Sequence, residues 1–192
     1  MTAAIVSRRS SLPTAWWGMV LLIASEATLF GCFVATYFYL RFETAIWPPP
    51  GIPKPHVAVP LILASCLALS SAPMYVVSHA AAGGRLATAR LALVVALVIQ
   101  CGYLAFEVDD FSNSLARFGI SRDAYSSIYY TMLGADHAHV FVGIVFNVWL
   151  LGKLARGLTG YRMRAAQAIS WYWHFVNVVT FVVVGTLLSA AV

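Results

Sequence analysis

Long apolar stretches dominate the chain and are separated by short polar connections. A bilayer core is crossed by a helix of ~20 predominantly apolar residues. Five stretches are long enough, and they cover residues 16–40, 57–78, 88–107, 126–152 and 167–189. Pro73 lies inside the second stretch, where proline is tolerated but kinks a helix. The pattern therefore predicts an all-α integral membrane bundle of five transmembrane helices, in which residues 1–192 form a single membrane domain.

The composition agrees with lipid as the main solvent. Of 192 residues, 61% are hydrophobic and 10% are charged, whereas about a quarter of a typical soluble domain is charged. The net charge of +5 indicates membrane orientation rather than nucleic-acid binding, because the basic residues lie in short gaps between apolar stretches. The three cysteines lie within apolar stretches and show no CxxC or Cys/His spacing, so we predict neither a disulfide framework nor a zinc site.

The distribution of basic residues predicts how the bundle is oriented. Eight of them lie in or beside the N-terminal segment and the connections around 79–87 and 153–166, and four lie in the other two connections. Cytoplasmic segments carry the excess of Lys and Arg, so the N-terminus is predicted in the cytoplasm and the C-terminus outside. The segment Trp47–Gly51 contains three consecutive prolines and is predicted to be rigid and non-helical.

One acidic residue, Glu26, falls within the first apolar stretch. A carboxyl group near mid-membrane is costly, so such a residue faces a partner or a water-filled cavity rather than lipid. With a rise of ~1.5 Å per residue, Glu26 lies ~15 Å into its helix, and Gln100, His139 and Asn177 fall in the same ~5 Å slab. Burial disfavours the charged form, so Glu26 is expected to be protonated. We predict that it pairs with His139, because an acid and an imidazole satisfy each other in a low dielectric.

The fourth stretch places further polar residues on one helical face. Asp136, His139, Gly143 and Asn147 follow one another at spacings of three, four and four, which aligns them, whereas His137 points elsewhere. Pairing or proton exchange is one role for such a layer, and locking of helix packing is the other. For Asp136 and Asn147 the packing role is favoured.

The histidines raise the question of haem binding. His174 follows the aromatic triplet 171–173 and shares a face with Ser170 and Asn177, which favours an anchoring or packing role. His139 and His174 differ by ~10 Å in depth, so they are poorly placed to ligate one haem.

No nucleotide-binding loop, nucleophile elbow or metalloprotease motif occurs in the sequence. We predict no catalytic residues and no metal or cofactor site in this chain.

Five segments resemble subunit III of the haem–copper terminal oxidases, in the order of that family. Segment 17–26 resembles its G-M-x-L-x-I-x-S-E pattern, and segment 47–52 resembles its W-P-P-x-G-I loop. Segment 124–130 falls where the family has Y-G-S-x followed by two aromatics. Residues 134–140 match the position of G-F-H-G-L-H-V, and residues 172–176 match Y-W-H-F-V. The five-span length resembles the shorter bacterial form, which lacks the first two helices of the seven-helix form.

The chain departs from the family pattern at three positions. Asp136 stands where the family has the first histidine of its H-G-x-H motif, Asn177 replaces an acid, and Thr180 replaces a tryptophan. No family role is carried over to these three positions. The correspondence holds at Glu26, His139 and His174. The three departures indicate a divergent branch of the family.

The resemblance implies a subunit III of a proton-pumping oxidase in a bacterial plasma membrane, without redox centres of its own. By this resemblance it packs directly against subunit I in a complex that also contains subunit II, and those partners hold the haems and the copper. It would bind phospholipid, support proton uptake and protect the catalytic subunit during turnover. Glu26 matches the family carboxylate that reacts with carbodiimides, a chemistry that requires a protonated acid in apolar surroundings.

Three other interpretations stay open on the sequence. The accessory protein of nitric-oxide reductase clusters resembles the same family, and sequence separates the two poorly. A free-standing proton-coupled transporter would use Glu26, Asp136 and His139 as a relay, although simple transporters usually show internal repeats and none is evident here. A haem-binding membrane anchor would show a haem absorption band from the chain alone.

Overall fold

The computed structural model describes residues 14–157 and 159–191, most of them in helices. The helices are α1 (Thr14–Glu43), α2 (Ala58–Leu69), α3 (Ser71–Ala82), α4 (Leu86–Arg117), α5 (Ala124–Leu154) and α6 (Gly160–Leu188), with a final 3₁₀ turn at Ser189–Ala191. Among these residues there is no strand. Five segments of this described part are long and apolar enough to cross a membrane, and α2 and α3 together form the second. The predicted all-α bundle is confirmed, and the chain is a multi-pass membrane protein.

The second span is interrupted between Leu69 and Ser71. Ser70 keeps helical dihedral angles, with φ −65° and ψ −14°. Pro73 has no N–H to donate to the carbonyl of Leu69 four residues earlier, so one bond of the helical ladder is missing here. The buried hydroxyl of Ser70 donates to the carbonyl of Leu67. The irregularity predicted from the proline is therefore present, about one turn before it.

The third span corrects the prediction at its end. We expected it to end at Glu107, where the apolar stretch stops, but α4 continues to Arg117. Residues 108–117 are largely polar but contain neither proline nor glycine, so no strong helix breaker stands there. The length of an apolar stretch reflects the thickness of the membrane core. The length of the helix depends instead on where helix-breaking and capping residues stand. As a result Glu107 lies inside a helix, and only 9% of it is exposed.

The helix ends carry recognisable capping residues. The carboxylate of Asp123 accepts a hydrogen bond from the backbone N–H of Ser126 at 2.7 Å and starts α5, and Thr159 starts α6 in the same way. Gly84 and Gly157 follow α3 and α5 with φ of +73° and +96°. Glycine adopts this left-handed conformation without strain, and it allows the chain to reverse direction between antiparallel helices.

The proline-rich segment is non-helical, as predicted, and is held by side chains from both sides. Trp47 donates its indole N–H to the hydroxyl oxygen of Tyr37 in α1 at 3.0 Å. Arg122, just before α5, donates to the carbonyls of Pro50 at 2.9 Å and Gly51 at 3.3 Å. The bonds from Arg122 link the loop between α4 and α5 to the loop between α1 and α2 at one end of the bundle.

α6 lies at the centre of the bundle. It packs against α1, α2, α3 and α5, while α4 packs against α2, α3 and α5. In the most apolar stretch of α6, 50% of the residues are buried within the chain, against 6% in α1. Among the described helices, α1 contacts only α5 and α6. The surface of α1 is therefore the one most available to lipid or to another polypeptide.

Candidate functional site

Glu26 in α1 and His139 in α5 form a hydrogen-bonded pair. Oε2 of Glu26 lies 2.9 Å from Nε2 of His139. The glutamate side chain is 24% exposed and the histidine side chain 17%. The pairing predicted from their similar depth and complementary chemistry is confirmed.

The hydrogen bonds of His139 determine where a proton must lie. Nδ1 is 2.7 Å from the carbonyl oxygen of Ala135, which can only accept, so Nδ1 carries a hydrogen and donates it. In a neutral imidazole Nε2 is then an acceptor, and Glu26 must donate to it. In a charged imidazole Nε2 donates to the carboxylate. Either way one hydrogen lies between Nε2 of His139 and Oε2 of Glu26. The site therefore places a hydrogen-bonded acid and imidazole within membrane-spanning segments.

A cavity of about 190 Å³ lies beside this pair. Its lining comes from α1 (Leu22, Glu26), α5 (Ala138, His139, Val142, Phe146) and α6 (Tyr172). Tyr172 donates its hydroxyl hydrogen to the carbonyl of His139 at 3.2 Å. The ring of Phe30 meets the imidazole edge-on, with 5.0 Å between centroids. Apolar walls keep the local dielectric low, while the cavity leaves Glu26 and His139 accessible.

The amide members of the predicted polar layer form separate pairs rather than one cluster. Asn147 in α5 donates from Nδ2 to Oε1 of Gln100 in α4 at 2.9 Å, and both side chains are fully buried. Asn177 in α6 donates to the hydroxyl of Ser71 in α3 at 2.6 Å. These bonds connect α4 to α5 and α6 to α3, as interhelical hydrogen bonds do in an apolar medium.

The face predicted along the fourth span is divided between different neighbours. Asp136 accepts a hydrogen bond from the hydroxyl of Thr180 in α6 at 2.9 Å, whereas His139 pairs with α1 and Asn147 with α4. A spacing of three residues leaves side chains about 60° apart around a helix, which is enough for a helix in mid-bundle to direct them at different partners. The predicted face therefore meets several neighbouring helices, and Asp136 is bonded to neither Glu26 nor His139.

His137 points away from that face, as expected, and meets an acid that the sequence analysis missed. Its Nε2 lies 3.1 Å from Oε2 of Glu107 in α4. Both residues are buried, at 8% and 9% exposure. Glu107 was treated as the end of an apolar stretch; the absence of helix breakers in 108–117 was the signal that α4 continues and buries it.

His174 lines a larger cavity, of about 500 Å³, between α1, α3 and α6. Its Nε2 lies 3.4 Å from Oγ of Ser170, which donates to the carbonyl of Met74 in α3 at 3.1 Å. Trp16 and Arg164 also line this cavity. The cavity therefore combines an apolar wall from α1 with a guanidinium near the start of α6.

Within residues 14–157 and 159–191, no three His, Cys, Asp or Glu side chains come together as a group that could hold a metal ion. Cys32, Cys66 and Cys101 are free and exposed on the surface of the bundle. The chemistry that the site itself offers is the binding of a proton between Glu26 and His139.

The chain is similar in sequence to known proteins along most of its length. Residues 12–187 match the family model of cytochrome c oxidase subunit III. Cytochrome c oxidase subunit 3 of Myxine glutinosa is 28% identical over 170 residues, which cover 85% of this chain and 64% of the relative. The same subunit of Tachyglossus aculeatus aculeatus is 32% identical over 170 residues, with the same coverage of 85% and 64%. That of Mus musculus is 28% identical over 170 residues, again covering 85% and 64%. The chain thus spans slightly less than two thirds of the length of these relatives.

Proposed function

The chain belongs to the cytochrome c oxidase subunit III family, and from this membership we propose that it is a non-catalytic subunit III of a proton-pumping haem–copper respiratory oxidase. The observation that carries the proposal is the family match, which runs from before α1 to the last turn of α6. The proposed setting is the plasma membrane of a bacterium, in a complex that reduces oxygen to water.

In this proposal the haems and the copper belong to partner subunits. This chain packs directly against subunit I, in a complex with subunit II, and contributes to assembly and to the stability of the catalytic subunit. The sparsely covered surface of α1 supports such an arrangement, since 6% of its most apolar stretch is buried within the chain itself. A helix with so little cover from its own chain is suited to contact a neighbouring membrane protein.

The proposed part of Glu26 and His139 is in the support of proton uptake. Nε2 of His139 and Oε2 of Glu26 share a hydrogen bond of 2.9 Å, and a cavity of about 190 Å³ adjoins the pair. Groups that bind protons inside membrane spans are typical of proton-handling membrane proteins. Replacing Glu26 is expected to change proton uptake by the complex without removing any redox centre.

The larger cavity is the proposed position of a bound phospholipid. Its volume of about 500 Å³ lies between α1, α3 and α6, and Met19, Val20 and Ile23 of α1 form an apolar wall for an acyl chain. Arg164 at the same cavity supplies a fixed positive charge, and guanidinium groups bind phosphate in bidentate fashion. The phospholipid would fill a gap between helices that the chain leaves open.

Purification of the tagged chain from its native membranes in mild detergent tests the proposal. The eluate is expected to contain haem- and copper-bearing polypeptides, to show a haem spectrum and to consume oxygen. Consumption of nitric oxide instead of oxygen would identify the nitric-oxide reductase alternative. A colourless single polypeptide, under conditions that keep other respiratory complexes intact, would overturn the oxidase assignment and favour the transporter.

Two variants of α1 make the experiment specific for the site. Glu26→Gln removes the acid but keeps its size, and Glu43→Gln is the matched control, since Glu43 is an exposed acid at the C-terminal end of the same helix. Both complexes are expected to assemble with an unchanged haem spectrum. Only Glu26→Gln is expected to slow proton uptake during turnover, and equal rates in the two variants would contradict the proposed role of Glu26.

A further inference from the structure

A second group of ionisable side chains lies in the core, separate from Glu26 and His139. It consists of Glu107 in α4 and of Asp136 and His137 in α5, and we call it the buried acid cluster. These residues are 9%, 1% and 8% exposed. All three are therefore buried in the protein interior, where a net charge is costly.

One acid of the cluster has a basic partner and the other does not. Oε2 of Glu107 lies 3.1 Å from Nε2 of His137. Asp136 accepts one hydrogen bond, from the hydroxyl of Thr180 to Oδ1 at 2.9 Å. Its Oδ2 is buried and has no hydrogen-bond partner among the described residues. An ionised carboxylate has about four acceptor positions to satisfy, so this environment does not suit the charged form of Asp136.

The charge of the cluster depends on few groups. The titratable side chains that influence Asp136 or share its surroundings are Tyr103 and Glu107 of α4 and His137 and His139 of α5. From α6 the hydroxyl of Thr180 donates to Asp136. His139 has Glu26 as its own partner, and a tyrosine is uncharged near neutral pH. With both carboxyl groups ionised and the His137 imidazole protonated, the cluster would carry a net charge of −1. One further proton makes it neutral.

We propose that Asp136 is a second proton-binding group of this chain and holds its proton in the core between α4, α5 and α6. Glu107 has the imidazole of His137 beside it, and a close basic partner offsets the cost of burying an acid. Among the described residues Asp136 has only the hydroxyl of Thr180 as a hydrogen-bond partner, and it therefore takes the proton. Asp136 stands where the family motif has a histidine, so this site is a property of the chain itself rather than of the family pattern.

Infrared difference spectroscopy of the full chain, purified with the polypeptides that accompany it, tests this assignment. The wild-type protein at neutral pH is expected to show the C=O band of a protonated carboxyl group, shifted to lower wavenumber in D₂O, that is missing from Asp136→Asn. If no such band is lost in Asp136→Asn, the proposal is wrong. The measurement does not depend on oxidase activity, so it stands apart from the test of the proposed function.

Two further variants keep the test decisive if Asp136→Asn does not accumulate. Thr180→Val preserves the shape of the side chain but removes the hydrogen bond to Oδ1 of Asp136, and the band is expected to move to higher wavenumber. Glu43→Gln, at an exposed acid of α1 outside the cluster, is the matched control and is expected to keep the band. An unshifted band in Thr180→Val, or its loss in Glu43→Gln, would place the proton elsewhere and overturn the assignment.

Discussion

The indole ring of Trp173 in α6 lies directly against the backbone of Gly143 in α5. A Cβ at position 143 would stand 2.6 Å from a ring carbon of Trp173. The ring has no freedom to move aside, because it is fully buried and its Nε1 donates to the hydroxyl oxygen of Ser70 at 2.7 Å. The missing side chain of Gly143 therefore determines how closely α5 and α6 approach at the centre of the bundle.

Gly143→Ala is expected to destabilise the folded chain. Overpacking of a well-filled core costs about 1–3 kcal/mol, and here the added methyl group would push the ring away from Ser70. Gly152→Ala in the same helix is the matched control, since a Cβ there meets nothing within 4 Å. Thermal unfolding of the purified protein in detergent should show a lower midpoint for Gly143→Ala only. Equal midpoints for the two variants would contradict the packing argument.

Glu26 is expected to be the carboxyl group that reacts with a lipid-soluble carbodiimide. The reagent requires a protonated acid in apolar surroundings, and a cavity of about 190 Å³ lies beside Glu26. Asp136, at 1% exposure, is out of its reach. Peptide mass spectrometry after labelling should find the adduct on Glu26, with labelling abolished in Glu26→Gln and retained in Glu43→Gln. An adduct mainly on Asp136 or Glu107 would show that access is through the core instead.

The sequence predicted the spans and one contact of the site because both follow from local chemistry. Apolar runs of membrane length identify helices whatever their neighbours are. Glu26 and His139 could be matched because an acid at that depth requires a partner and an imidazole stood at a similar level. Depth and residue type were sufficient for this pair.

The remaining contacts could not be predicted in the same way, since they depend on which helices are neighbours. Gln100 was assigned a depth, but its bond to Asn147 requires α4 to pack beside α5. Thr180 was noted only as a departure from the family pattern, and its bond to Asp136 requires a particular rotation of α6. The burial of Glu107 was missed because the apolar stretch ends there, whereas α4 continues to Arg117.

Arg90 is expected to stabilise the end of α5. Its Nε and Nη2 donate to the carbonyl of Leu154 at 3.1 Å and 2.6 Å, and Nη2 also reaches the carbonyl of Ala155 at 3.1 Å. The planar guanidinium makes this fork, whereas a lysine presents one point charge. Arg90→Lys should cost about 1–3 kcal/mol and speed hydrogen exchange in the last turn of α5. Arg85→Lys is the control, because Arg85 is exposed; faster exchange in both variants would argue against the cap.

Arg164 is expected to determine whether an anionic phospholipid stays with the purified protein. It lies at the cavity of about 500 Å³ between α1, α3 and α6, where a lipid phosphate can accept hydrogen bonds from the guanidinium. In native mass spectrometry, Arg164→Gln should lose a bound anionic lipid that the unaltered chain retains. Arg117→Gln is the matched control, since Arg117 is an exposed arginine at the opposite end of the bundle. Retention of the same lipid by Arg164→Gln would mean that its headgroup is held elsewhere, and equal loss from both variants would indicate a general effect of net charge.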